Sequence, residues 1–245
     1  MTTADKLVEV AENVPKVFEA GKAAEWSEFW DSYQGVGTVS YYASFFASKA
    51  WSANTFRPKY DMTPINASSM FSNFNNNGGT PLDMVEHLAT LGVKLDFAKC
   101  TNFSYMVATS NISRLGIIDT RGANSASGVN NIFRSAAQLV TIDKLIVNEA
   151  FPVGTGSFVG CSKLADITIE GYITGDFVID QSPLTNNSLK SILIHLKDFS
   201  GTEKAGINKV KFSAACWAAL DTLGETSPNG NTWKEYVADL GWKWA

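Results

Sequence analysis

Phe133-Arg-Ser-Ala136-Ala-Gln-Leu139-Val-Thr-Ile142 and Phe158-Val-Gly-Cys161-Ser-Lys-Leu164-Ala-Asp-Ile167 are one unit written twice. Large apolar residues stand at the first, seventh and tenth places, and a small one, Ala or Cys, at the fourth. Phe97-Ala-Lys-Cys100-Thr-Asn-Phe103-Ser-Tyr-Met106 fits the same template and reads as a third copy. Leu164 follows Leu139 by 25 residues, and the strand-like segment Leu115-Gly-Ile117-Ile118-Asp-Thr starts 24 residues before Leu139. A unit this short cannot cover its own apolar face, so neighbours must stack. Each unit is expected to supply one short strand to a parallel ladder, with Phe97, Phe133 and Phe158 in one aromatic column. Pro183 stands at the next step after Phe158. Ala136 in the place of Cys100 and Cys161 argues that the thiols are apolar fillers rather than reactive groups.

A period of roughly 20–29 residues is that of leucine-rich-repeat arrays. The predicted fold class is therefore α/β: a short leucine-rich-repeat solenoid over 93–183, with a helical N-terminal segment and a helix–strand–helix C-terminal cap. The open ends of such a stack need covers. At the C-terminal end, over 184–245, Asn187 or Ser188 is expected to cap a helix carrying Leu189, Ile192, Leu193 and Leu196. Ile207 to Phe212 alternates like a strand, Ala214 to Leu220 reads as a helix ending near Gly224, and Ser227-Pro-Asn-Gly230 is a turn. Trp233, Val237 and Leu240 mark a last helical stripe.

Upstream, 35–92 is irregular and aromatic-rich until Thr80, the expected N-cap of a helix with Pro81 in its first turn and Gly92 at its end. Residues 1–34 read as helical. Leu7, Val10, Val14, Val17, Gly21 and Ala24 recur at steps of three and four, the spacing of a coiled-coil seam. Pro15 divides the segment, and Trp26, Phe29, Trp30 and Tyr33 follow as an aromatic stripe. A stripe of this size must be covered, either by the body of the protein or by another chain. Leu7, Val10, Val14, Val17, Trp26 and Trp30 are the candidate oligomerisation or docking residues.

The chain has 245 residues, 45% apolar and 18% charged, with a net charge of −4. That excludes a disordered chain, and the absence of a basic stripe argues against nucleic acid as a partner. No run of about 18 apolar residues predicts a membrane span. The first residues, Met1-Thr-Thr-Ala-Asp-Lys-Leu7, lack the apolar core of a secretory signal, so synthesis in a cytoplasm is expected. Chance matches explain the Asn-x-Ser triplets at Asn66, Asn102, Asn111 and Asn186 on that reading.

The repeat unit resembles the leucine-rich repeats of the BspA-like type. The ending, Ser188 to Gly201 with Thr232 to Trp242, resembles the terminal segment of such proteins in phages and prophages of gut Firmicutes. The opening, Ala4 to Gly21, resembles the N-terminal segment of many of those phage-encoded proteins. The resemblance implies a virion-associated or tail-module protein, with other virion proteins as partners and a homo-oligomer, preferably a trimer, from fibre-like arrangements. It implies no catalytic residues and no cofactor. A bacterial surface adhesin of the same repeat class is the alternative.

The residues themselves offer little chemistry. His87 and His195 each lie on an amphipathic helix without a ligand set around them. Gly154-Thr-Gly156 lacks the lysine of a phosphate loop and reads as a turn between repeats. Asp176 and Asp180 flank apolar residues and read as a solvated strand face. Trp51, Phe56 and Tyr60 have two readings: core or interface packing, or rings that stack on host-surface sugars.

Overall fold

A computed structural model describes residues 44, 46–47, 51–58, 61–75 and 79–245. Leu7, Val10, Val14, Val17, Trp26, Trp30 and Tyr60 lie outside the described residues. The fold is α/β with parallel sheets. Four strands, β1 (Leu82–Asp83), β2 (Ile112–Asp119), β3 (Thr141–Ile146) and β4 (Asp166–Glu170), lie side by side in chain order. All three pairings are parallel, with Leu115 beside Ile142 and Ile142 beside Ile167. Alternate residues of β4, Ile167 and Ile169, are buried while Asp166, Thr168 and Glu170 are exposed, so one face of the sheet meets the core.

A second file of backbone bonds closes the opposite wall. Phe46 N–H donates to Met70 O (2.9 Å), Phe71 N–H to Met106 O (2.7 Å), Val107 N–H to Ile132 O (2.9 Å) and Phe133 N–H to Ser157 O (3.2 Å). Parallel pairing of this kind sets Phe46, Phe71, Val107, Phe133 and Phe158 in one row. Phe46 stacks on Phe71 at 5.5 Å, Phe133 on Phe158 at 5.2 Å, and Phe158 meets Phe177 at 5.3 Å. The aromatic column is thus real for Phe133 and Phe158, but Phe97 is not in it. Its ring meets Phe103 at 5.8 Å, and Phe103 N–H bonds Gly128 O, not the neighbourhood of Leu139. Val107 holds the slot assigned to Phe97, and Phe177, not Pro183, supplies the next ring. The match at Phe97 was one of side-chain types, whereas register is set by backbone bonds.

This wall is bent by left-handed residues. Ser44, Ser69, Tyr105 and Asn131 occupy equivalent places with positive φ, and Asn73, Thr109, Ser135 and Gly160 do so four residues further on. Seven of these eight positions lack the glycine that usually marks such a bend. Between the walls runs one apolar cluster that extends from Phe46 to Trp242.

The two ends of the ladder are closed differently. At the first, Phe46, Trp51, Phe56, Phe71 and Phe74 form an edge-to-face cluster with centroids 5.0–5.9 Å apart for its edge-on pairs. Next to it β1 passes directly into α1 (Met84–Leu91). Asp83, not Thr80, is the N-cap of α1, because Thr80 and Pro81 precede a strand that pairs with β2. Asp83 Oδ1 accepts from Glu86 N–H, and Gly92 closes the helix at φ 67° as expected.

At the other end the exposed edge of β4 meets α2 (Asn186–Ile194). Ile167 N–H donates to Ser188 Oγ and Ile169 N–H to Ser191 Oγ, both at 2.9 Å. Two hydroxyls on one helix face thereby satisfy the strand edge that would otherwise pair with another chain. Thr185 is the N-cap of α2, two residues before Asn187 and three before Ser188. A second parallel sheet follows: β5 (Phe177–Val178), β6 (Lys209–Lys211) and β7 (Lys243–Trp244), in that order. It is packed by α3 (Ala214–Thr222), capped by Ser213, and α4 (Trp233–Asp239), which carries a Thr232–Glu235 capping box. The expected helix–strand–helix order is present; β5 and β7, each two residues long, were too short to show as alternation.

Candidate functional site

The outer face of the four-stranded sheet is covered by charges that neutralise one another. Arg114 on β2 donates twice to Asp143 on β3, at 2.7 and 3.1 Å, and stands 3.9 Å from Asp83. Lys144 meets Glu170 across β3 and β4 at 2.8 Å. At the end of β2, Arg121 donates to both oxygens of Asp119. That hydrogen bond holds the Asp119 carboxyl below its ordinary value, against the opposing effect of partial burial. Lys144 likewise lowers Glu170. Ile117 stands exposed amid this charged face.

A cleft of about 250 Å³ opens where the chain enters β1, β2 and β3. Gly79 and Pro81 form one side, Thr109, Ser110 and Asn111 the middle, and Ser135, Ala137 and Gln138 the other side. The stacked turns bring these three segments together, since each leads into a neighbouring strand of the same sheet. Asn111 Nδ2 donates to Gly79 O at 2.7 Å, and Gln138 Oε1 accepts from Lys163 Nζ at 2.7 Å. Ser110 Oγ is buried and has no partner among the described residues. No charged side chain lines the cleft. Nothing in the repeat pattern marked it, because its residues fall at the corners between repeat units.

The other candidate residues have structural partners. Trp51 and Phe56 are 1% and 0% exposed within the aromatic end cluster, so neither offers a ring face to a sugar. This corrects the sugar-stacking reading of those two residues: the end of the ladder must be plugged, and they plug it. His87 Nε2 meets Phe56 O, and His195 Nδ1 meets Ser191 O at 2.7 Å. Asp176 and Asp180 face Lys209 and Lys211 across β5 and β6, at 3.8 and 2.7 Å. Gly154 and Gly156 are required by stacking, since a Cβ at either would come within 2.5 Å of Asn130 or Asn131 in the preceding turn.

Cys100, Cys161 and Cys216 are buried free thiols. Burial pushes Cys161 up to about 12 and Cys100 up to about 11, so neither is a thiolate near neutral pH. Cys161 Sγ donates to Phe133 O at 3.1 Å, which ties one turn to the next. Among the described residues, no three His, Cys, Asp or Glu side chains gather as a metal site, and no helix is long and apolar enough to cross a membrane. Comparison with protein families, with curated proteins and with solved structures finds no match to this chain.

Proposed function

We propose that this chain is a non-enzymatic structural protein of a phage particle, a fibre, decoration or tail-associated module. In this reading it is a short leucine-rich-repeat solenoid whose ladder surface faces outward for contact with a host surface protein or glycan. The observation that carries it is the parallel ladder, whose register advances by 27 residues from Leu115 to Ile142 and by 25 from Ile142 to Ile167. The 25-residue step equals the spacing of the Phe133 and Phe158 units, while the 27-residue step exceeds the 24 from Leu115 to Leu139 because Leu115 pairs with Ile142. The resemblance of Ala4 to Gly21 and of the C-terminal segment to phage-encoded proteins supplies the particle. The histidines bonded to backbone carbonyls, the protonated thiols and the lysine-paired aspartates support a structural use of the ionisable groups.

The N-terminal segment, with Leu7, Val10, Val14, Val17, Trp26 and Trp30, attaches the protein to other virion proteins or to its own copies, a trimer being preferred. Mass spectrometry of purified particles tests the reading. The protein is expected as a stoichiometric component that is lost when residues 1–34 are deleted. Its absence from particles that the phage genome nonetheless assembles overturns the proposal.

A further inference from the structure

We propose that the cleft at the mouths of β1, β2 and β3 binds one neutral, hydroxyl-bearing sugar ring. The chemistry of its lining points there. Asn111 gives one amide hydrogen to Gly79 O, which orients the amide and leaves its Oδ1 as an acceptor and its second hydrogen as a donor. Gln138 spends its Oε1 on Lys163, which leaves its amide hydrogens as donors. Thr109 and Ser135 add hydroxyls that make no side-chain hydrogen bond among the described residues and can give or accept. The Pro81 ring and the Ala137 methyl supply the apolar wall. Donors, acceptors and a short apolar wall without a formal charge match a ring that carries hydroxyls around an aliphatic frame.

Other ligand classes fit less well. An anion would find no cation in the lining; Lys163 stands outside it and donates to Gln138. An apolar ligand would leave the hydroxyls and amides unpaired on binding. At about 250 Å³ the cleft is also smaller than a typical drug-sized pocket, which limits it to a single small unit. The role of such binding rests on the proposed host-contact use of this surface; the binding itself does not.

Saturation-transfer NMR on the full chain tests it, with D-glucose, D-galactose and N-acetyl-D-glucosamine as neutral probes and sialic acid as the anionic comparator. At least one neutral sugar is expected to bind with Kd of about 1 mM, the strength expected of a ligand this small. Ala137→Trp, which fills the cleft from an exposed position, should weaken it at least tenfold, as should Gln138→Ala by at least threefold. Ile117→Ala on the outer sheet face should leave it unchanged, and melting curves should show all three variants folded. The proposal is overturned if no neutral sugar binds up to about 20 mM, if sialic acid binds better, or if affinity survives in folded Ala137→Trp. Sugar binding by a protein absent from particles sinks the virion reading alone; a particle protein that binds no sugar sinks this one alone.

Discussion

A double-mutant cycle on Phe133 and Phe158 reads the register of the stack directly. Both rings are buried, Phe133 at 0% and Phe158 at 2% exposure, and their centroids are 5.2 Å apart with planes 23° from parallel. Truncating either to Ala removes a ring from the core and leaves a cavity, at a cost of about 3–5 kcal/mol. That approaches the whole stability of many domains, so the cycle is better built on Phe133→Leu and Phe158→Leu. The stacked pair should show a coupling of about 0.5–1.5 kcal/mol, the part of the contact that exceeds simple burial. The control is the pair Phe97 and Phe133. Phe97 packs on Phe103 instead, so its substitution should add to that of Phe133 within about 0.5 kcal/mol. Urea unfolding of the parent, the three single and the two double variants, with equal m-values, supplies the numbers. Coupling between Phe97 and Phe133, together with additivity between Phe133 and Phe158, would falsify the register described here and restore the alignment of the three Phe units.

Ser188→Ala strips the acceptor from the buried Ile167 N–H and should cost about 1–3 kcal/mol, with faster hydrogen exchange at the Ile167 amide; unchanged exchange there refutes the edge-sealing role of α2. Thr109 is β-branched and exposed at φ 58°, so Thr109→Asn should raise stability by about 1 kcal/mol, seen as a higher Tm, and a lower Tm would show that the Thr side chain stabilises the bend. Asp119 titrates below its ordinary 3.8 in the folded protein, so its contribution is present above that pH and is lost as pH falls through the lower folded value. Asp119→Asn should therefore reduce stability at pH 7 and flatten its fall in acid below about pH 4; parallel pH profiles for the two proteins would remove Arg121–Asp119 as a source of stability.

The sequence was most informative where one residue type served one role. Phe133 with Phe158, Ala136 with Cys161 and Ile142 with Ile167 are equivalent in both sequence and space because every slot demands a buried side chain of fixed size. The C-terminal helices were legible through their apolar spacing, with Ser213 and Thr232 as caps in the structure. Phe97 misled because its spacing to Cys100 and Phe103 copies the unit while its backbone lies beside a different segment. Thr80-Pro81 misled because a good N-cap and a good first-turn residue also suit the approach to a strand, and Asp83 three residues on caps equally well. The bends at Ser69, Tyr105, Thr109, Asn131 and Ser135 were hidden because none of them is glycine. The cleft was hidden for a different reason: it is assembled from three corners far apart in the chain, and a period search looks along the strands.

The two serines of α2 have a bearing on how such a chain could grow. A ladder whose last rung already spends its amides on a helix offers no template for a further rung there, nor for recruiting a stray strand from a neighbour. New turns would have to be inserted between existing ones, where each newcomer inherits a partner on both sides and shifts the sealing helix outward unchanged. Length would then vary among descendants in the middle, while the terminal block stayed fixed in sequence and in place.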